Sequence, residues 1–167
     1  RIADEYPASE FAVRARFMRA FCLLLAERNM EAAEAFRGFL AKHSKHSLAD
    51  GAAYWLGMAY SYDKQFEECR ELMDDYLDAQ PDGRYRGAAV FRKAYCAQQM
   101  ERFGMAIDEL HAYLEQFPGE PENSEAKVLL GNAMMNEGAL EDGFKVFASI
   151  APDDAKPYEE GVFRTAE

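Results

Sequence analysis

Three histidines are the residues in this sequence with the clearest potential for metal binding. His43 and His46 are separated by two residues in a connection between predicted helices, and His111 lies near Glu109 on another predicted helix. A zinc site takes four ligands held in place by further hydrogen bonds. No cysteine or carboxylate cluster joins the histidine pair in the sequence. We therefore interpret the pair as part of a solvated turn and His111 as a surface residue, and we predict no metal site.

A run of acidic residues on one predicted helix is the second candidate for chemistry. Paired carboxylates act as general acid and base when they converge on a substrate, whereas acids spread along one helix are typical of its solvated face. No glycine-rich phosphate loop, nucleophile elbow or Cys–His pairing accompanies them. The sequence therefore predicts neither an enzyme nor a bound cofactor. The run comprises Glu67, Glu68, Glu71, Asp74, Asp75 and Asp78.

The three cysteines, Cys22, Cys69 and Cys96, are too few and too widely spaced for a disulfide framework. Cys22 and Cys96 are 74 residues apart, and the positions 37 residues after each of them hold alanine, Ala59 and Ala133. A column of small residues favours packing over redox chemistry. We expect all four of these positions to be buried.

Composition and charge limit the class of partner. The 167 residues are 49% hydrophobic, which is enough for a packed interior and argues against global disorder. A net charge of −11 argues against binding to nucleic acid or to anionic lipid, although it is compatible with a basic protein partner. No stretch of 18 apolar residues is present, so we predict no membrane span.

Residues of similar type recur every 37 positions. A fixed period of this size is typical of stacked supersecondary units. The columns are Ala15, Ala52, Ala89 and Ala126; Phe36, Met73, Leu110 and Phe147; and Pro7, Ser44, Pro81 and Pro118. The period divides the chain into residues 1–7 as the tail of a preceding repeat, four repeats at 8–44, 45–81, 82–118 and 119–155, and residues 156–167 as the start of a further helix.

Each repeat contains two amphipathic helical stretches, and no strand pattern occurs. Glycine and proline between the stretches mark helix ends. The predicted helices cover about 8–27, 30–42, 49–62, 66–79, 85–100, 103–117, 121–136 and 139–150. At the end of the sequence, residues 162–166 resemble residues 90–94, which predicts a further helix beginning near Pro157.

The residues within a repeat resemble the tetratricopeptide (TPR) family. The second repeat reads Leu56-Gly57-x-x-Tyr60, then Cys69-x-x-x-Met73, then Pro81, and the third keeps the small and large positions with Ala106-x-x-x-Leu110 and Pro118. This resemblance implies an all-α, right-handed α-α superhelix of stacked helix-turn-helix repeats. It covers nearly the whole chain.

The sequence departs from the family pattern in two respects. Trp55 does not occupy the family's tryptophan position, and the period is 37 rather than about 34 residues, with the extra residues in the connections between repeats. The longer form, with Tyr6-Pro7-Ala8-Ser9 and Phe117-Pro118-Gly119, is similar to TPR proteins of the bacterial cell envelope, such as outer-membrane-assembly lipoproteins and the Tol-Pal-associated factor. That similarity implies a periplasmic or envelope location, with the cytoplasm as the alternative.

TPR proteins use the first helix of each repeat to line a concave groove, and this resemblance implies a set of candidate partner-binding residues. Many of them are aromatic or methionine, which suits an adaptable apolar groove. The alternative is that these side chains are core between neighbouring helices. Asn132 matches the asparagine of the family's carboxylate clamp, but the clamp's lysine positions are apolar, which disfavours that clamp. The candidates are Phe17, Phe21, Tyr54, Met58, Tyr62, Phe91, Tyr95 and Asn132.

The sequence thus predicts a non-enzymatic scaffold that binds a protein or peptide. The alternative is a structural spacer or oligomerisation segment of a larger protein, with self-association as a possible activity.

Overall fold

The computed structural model describes residues 9–150, and every regular element within that range is an α-helix. Each helix agrees with its predicted range to within two residues at either end. The helices are α1 (Glu10–Leu25), α2 (Asn29–His43), α3 (Ala49–Tyr62), α4 (Phe66–Ala79), α5 (Arg86–Gln99), α6 (Phe103–Gln116), α7 (Asn123–Asn136) and α8 (Leu140–Ala148).

The chain forms two compact units, with the boundary between Ala89 and Val90 inside α5. In unit 1, which ends at Ala89, α2 packs on α1, α3 packs on α2, and α4 packs on α3; α1 also touches α3. In unit 2, which begins at Val90, α7 packs on both α6 and α8. Consecutive helices therefore pair as the helix-turn-helix pattern predicts.

The turn inside each helix pair has the same backbone geometry at 37-residue intervals. Each turn holds one residue in the left-handed region, with φ between 58° and 85°. In each, the next amide donates to the carbonyl five residues earlier, the bond that closes a Schellman motif. The left-handed residues are Glu27, Lys64, Glu101 and Gly138.

One repeat column forms the centre of each helix pair. Phe36, Met73, Leu110 and Phe147 are all at most 2% exposed. In unit 2, a Cβ on Gly131 would lie 2.6 Å from the Phe147 ring. A glycine at that position therefore allows the close approach of helix and ring.

The cysteine column is buried at three positions and exposed at the fourth. Ala59, Cys96 and Ala133 are fully buried as expected, but Cys22 is exposed, so its predicted burial is wrong. The physical reason is that Cys22 lies on α1, and no described helix precedes α1 to cover that side.

The histidine pair is also less solvated than the sequence suggested. His43 and His46 are half-buried, and the His43 ring lies 5.1 Å from the Phe39 ring. Burial lowers the pKa of His43, and the nearby Arg16 lowers it further. His46 Nε2 lies 3.0 Å from Glu10 Oε2 and its Nδ1 accepts from Leu48 N at 3.1 Å, so this turn is tied to the start of α1.

The predictions for the acidic run and for His111 are confirmed. All six acids of the acidic run on α4 are exposed, and so is His111. Within residues 9–150 no three histidine, cysteine or acidic side chains are grouped to hold a metal ion, and no helix there has the length and hydropathy to cross a bilayer. The predicted repeat tail at residues 1–7 and the predicted helix from Pro157 lie outside the described residues.

Candidate protein-binding groove

Two adjoining cavities in unit 1 form a groove along α1 and α3. The larger is about 560 Å³ and the smaller about 340 Å³, and Phe21 and Trp55 line both of them. Leu24, Leu25, Glu27, Asn29 and Tyr62 complete the larger cavity. Phe17, Met18, Ser47, Leu48, Asp50, Gly51, Arg84 and Tyr85 complete the smaller one.

An array of aromatic rings builds the floor of this groove. Phe21 and Trp55 meet edge to face with centroids 5.0 Å apart, and Trp55 meets Tyr54 at 5.3 Å. Tyr54 in turn stacks on Tyr85, with centroids 4.6 Å apart and planes 4° from parallel. Such pairs contribute about 0.5–1.5 kcal/mol each beyond burial alone. The rings therefore hold one another in place while Phe21 and Trp55 stay half-buried at the surface.

A buried tyrosine fixes the wall of the smaller cavity. Tyr76 Oη donates to Asp50 Oδ1 at 2.7 Å and accepts from the backbone amide of Tyr85 at 3.0 Å. Burial raises the pKa of Tyr76 well above its usual range, and the hydrogen bond to Asp50 raises it further. A side chain at Gly83 would overlap the Tyr76 hydroxyl. The network therefore positions Asp50 and Tyr85, both of which line the cavity.

Charged side chains are among the residues that line the groove. Glu27 is the one charged residue among those lining the larger cavity. The smaller cavity has Asp50 and Arg84, and the Arg84 guanidinium lies 5.8 Å from the centre of the Tyr85 ring. The larger cavity thus pairs an apolar interior with a carboxylate, whereas the smaller one carries both signs of charge.

The structure brings some of the predicted groove residues of unit 1 to the surface and buries others. Phe17, Phe21 and Tyr62 line the cavities, and Tyr62 is 48% exposed. Tyr54 and Met58 are buried, which is the core packing that the sequence left as the alternative.

The predicted residues of unit 2 are mostly buried. Phe91 belongs to the core around Leu110, and Tyr95 is half-buried with the Arg92 guanidinium 4.8 Å from its ring centre. Asn132 is 8% exposed, and its Oδ1 has no hydrogen-bond partner in the described part of the chain.

Sequence reasoning missed Trp55 and Tyr85 as groove residues. Trp55 lies one position after the Tyr54 column, and Tyr85 precedes the first turn of α5 rather than belonging to a helix face. One signal was available, because Trp55 is the single tryptophan of the chain and lies on a first helix. Nothing in the sequence pattern indicated that Tyr85 stacks on a tyrosine 31 residues earlier.

Comparison with known proteins identifies the fold. No protein-family model and no curated protein matches the chain. Among solved structures, MamA residues 41–end from Desulfovibrio magneticus RS-1 is similar with a TM-score of 0.73 and 18% identity, over 92% of this chain and 84% of that one. A Podosopora anserina kinesin light chain protein with nearly identical TPR-like repeats has a TM-score of 0.69 and 16% identity, over 92% and 87%. These likenesses confirm the predicted fold class, an all-α superhelix of TPR-like repeats.

Proposed function

We propose that this protein is a non-enzymatic interaction scaffold that holds a peptide or a partner helix in the groove between α1 and α3. The observation that carries the proposal is the pair of half-buried rings, Phe21 and Trp55, shared by two adjoining cavities. Concave surfaces lined by aromatic side chains with a few polar groups are typical binding sites. No convergent set of acid, base and nucleophile lines the groove, although a reaction site requires such a set.

The lining indicates the chemistry of the occupant. A cavity of about 560 Å³ has the volume of sites that hold drug-sized ligands, and it accommodates a large side chain of a peptide. Because its interior is apolar, we propose a leucine, methionine or aromatic anchor. Glu27 in its lining favours a lysine or arginine beside that anchor. Charge of this sign on the partner also suits the net charge of −11.

Two residues of unit 2 extend the proposal. The Asn132 Oδ1 is buried and lacks a hydrogen-bond partner among residues 9–150. Tyr95 is half-buried and supplies an aromatic surface within the same unit. We therefore propose both as contacts for a peptide bound by unit 2 itself, separately from the groove of unit 1. In unit 1, Phe17 lines the smaller cavity and the Tyr54 ring packs against Trp55.

A peptide selection tests the groove. Peptides recovered from a random library displayed on phage would be synthesised, and their affinity for the chain measured by calorimetry. We expect Tyr62→Ala to weaken binding at least about tenfold, the loss typical of a central aromatic contact. Met105→Ala is the matched control, because Met105 is also an exposed apolar residue, at 42% against 48% for Tyr62, and lies outside the groove. Equal affinities for the two variants would rule the groove out.

A second candidate function is a structural spacer or self-association segment of a larger protein. The observation that favours it is the exposure of the Phe11 side chain of α1, at 78%, outside both cavities. By resemblance, this larger protein would be an envelope assembly factor. Cell fractionation of the full-length protein tests that location, and recovery in the cytoplasm alone would contradict it.

A further inference from the structure

The smaller cavity of unit 1 has a carboxylate in its lining that the repeat pattern does not explain. Asp50 lies in the first turn of α3 and is half-buried. The equivalent positions of the other three repeats hold Val13, Gly87 and Ser124, so the repeat does not require an acid at this register position. Among the described residues, Asp50 is the single acid that lines this cavity.

The Asp50 carboxylate is held in a fixed position. The buried Tyr76 hydroxyl donates to Asp50 Oδ1 at 2.7 Å. A carboxylate accepts several hydrogen bonds, so a donor that enters the cavity can bind to Asp50 alongside Tyr76. Because Asp50 is half-buried, its charge acts through a lower effective dielectric than an exposed charge does, and it attracts a cation more strongly.

Aromatic rings form the walls of the smaller cavity. A Cβ on Gly51 would lie 3.6 Å from both Phe17 Cζ and Tyr85 Oη, so the glycine leaves room for a methyl group between these two side chains. Phe21 and Trp55 complete the aromatic part of the lining. Aromatic rings attract cations through their faces, and their apolar bodies pack well on a methylene chain. The walls therefore suit a side chain that has an apolar stem and a positive tip.

Arg84 is the one cation in the described lining, and it lies against one of these rings. Its guanidinium is 5.8 Å from the centre of the Tyr85 ring, within the range of cation–π attraction. Arg84 is exposed, so solvent and salt screen its charge more than they screen the charge of half-buried Asp50. Asp50 therefore sets the sign of the charge inside the cavity, and Arg84 opposes a second cation only weakly.

We infer that the smaller cavity binds the side chain of a lysine on the partner, with its methylene chain between the rings and its ammonium at Asp50. The inference rests on the proposed groove and names a second residue that the groove recognises. Lysine suits the site better than arginine, because a guanidinium pairs best with both oxygens of a carboxylate and Asp50 Oδ1 already accepts from Tyr76. The net charge of −11 also favours a basic partner.

A titration with n-butylammonium, which has the length of the lysine side chain, tests the cavity without any peptide. Binding to the full chain is followed through amide chemical shifts in two-dimensional NMR spectra at constant ionic strength. The amides of Asp50, Gly51 and Tyr85 should shift in a saturable way. The neutral analogue 1-butanol and the anion butyrate should each bind at least about tenfold more weakly, because neither donates a charged hydrogen bond to Asp50.

Two variants assign the response to this cavity. Asp50→Asn removes the charge but keeps an oxygen that accepts from Tyr76, and it should weaken butylammonium binding at least about tenfold. Gly51→Ala fills the space between the rings at ordinary contact distance, and alanine favours the helix, so this variant should fold and lose binding. Asp75→Asn is the matched control, because it removes the same charge at an exposed site outside both cavities, and it should bind as wild type does.

Arg84→Ala tests the sign of the charge that the cavity recognises. It removes an exposed charge of the same sign as the ligand, and it should therefore tighten butylammonium binding by about two- to fivefold. Weaker butylammonium binding in this variant would overturn the lysine site. Saturable binding of butyrate that Arg84→Ala abolishes would also overturn it, because the cavity would then recognise an acid.

The outcomes separate the lysine site from the groove itself. Butylammonium binding that Asp50→Asn leaves unchanged, or an equal affinity for 1-butanol, would overturn the lysine site. Equal binding of n-propylguanidinium would overturn the preference for lysine over arginine. None of these results bears on the groove, which is tested by the effect of Tyr62→Ala on the selected peptides.

A selected peptide joins the two tests. Replacing one of its lysines with methionine should weaken binding to the wild-type chain at least about tenfold and should have little effect on binding to Asp50→Asn. Peptides that depend on Tyr62 but show no such coupling to Asp50 would leave the groove standing and overturn the lysine site. Peptides that Tyr62→Ala does not weaken would contradict the groove, whereas butylammonium binding at Asp50 would still support the cation site.

Discussion

Tyr76 and Tyr113 occupy equivalent positions, 37 residues apart, in unit 1 and unit 2, and both are almost fully buried. The Tyr76 hydroxyl has two hydrogen bonds, to Asp50 and to the Tyr85 amide. The Tyr113 hydroxyl has no hydrogen-bond partner within residues 9–150. Both units therefore use the tyrosine ring for packing, whereas the tyrosine hydroxyl makes hydrogen bonds in unit 1 only.

The difference shows how a repeat acquires a specific surface. In unit 1 the hydroxyl ties α4 to Asp50 and to the backbone before α5, and both partners line the smaller cavity. In unit 2 an unsatisfied buried hydroxyl costs about 1–3 kcal/mol. The two tyrosine rings thus pack alike, but only the Tyr76 hydroxyl holds other groups in place.

The largest expected effect tests whether the two units are equivalent in their packing. Met73→Ala and Leu110→Ala remove fully buried side chains of the same column, and each should lower the free energy of unfolding by about 2–5 kcal/mol. Urea denaturation measures both. Leu114 is half-buried. Leu114→Ala should therefore lower the free energy of unfolding less than Leu110→Ala does, because it leaves a smaller cavity. A negligible loss at either buried site would contradict the shared core column.

Removing each hydroxyl in turn tests the difference between the hydrogen bonds of Tyr76 and Tyr113. Tyr76→Phe should lower the free energy of unfolding by about 1–3 kcal/mol, because Asp50 and the Tyr85 amide lose their partner. Tyr113→Phe should leave stability unchanged or raise it, since no hydrogen bond is lost. The two variants are matched in chemistry and burial, so equal losses in urea denaturation would show that the hydroxyls are equivalent after all.

Alkaline pH should weaken both units. Burial is the main cause that raises the pKa of each tyrosine, helped by Asp50 at Tyr76 and by Glu122 and Glu120 at Tyr113. Because each folded-state pKa lies above the unfolded value, the stabilisation is complete below about pH 10 and is lost as the pH rises further. The loss is about 1.4 kcal/mol per pH unit for each tyrosine. Unfolding measured from about pH 8 to about pH 11 should show a shallower loss in either Phe variant, and an unchanged slope would contradict the burial of that hydroxyl.

The smallest expected effect concerns the turns inside helix pairs, which have the same backbone geometry in both units. Lys64 in unit 1 and Gly138 in unit 2 both have positive φ. A side chain in this region costs about 1 kcal/mol relative to glycine. Lys64→Gly should therefore raise the melting temperature, and Gly138→Lys should lower it. Shifts of the same sign would show that the turns differ in geometry.

The fold was largely predictable because its determinants are local and repeated. Proline and glycine mark helix ends, and the column from Phe36 to Phe147 marks the centre of each pair. The errors arose where contacts depend on position in the array or on distant residues. Cys22 has the register of a buried residue but lies on the first described helix. His46 is held by Glu10, 36 residues away, and no periodic pattern indicates such a contact.

The groove was only partly predictable for the same reason. Helical spacing identified Phe21 and Tyr62, which lie on the open side of their helices. It could not separate them from Tyr54 and Met58, because burial of those two depends on how neighbouring helices pack. Trp55 and Tyr85 join the groove through ring contacts that cross from one helix or connection to another.

The emission of Trp55 tests the central proposal most directly, because it is the single tryptophan and lies where the two cavities meet. A selected peptide would be titrated into the wild-type chain while tryptophan fluorescence is recorded. If the peptide occupies the groove, water is displaced from the indole and the emission shifts to shorter wavelength in a saturable way, at the affinity that calorimetry gives. Binding detected by calorimetry with no change in Trp55 emission would contradict the proposed groove.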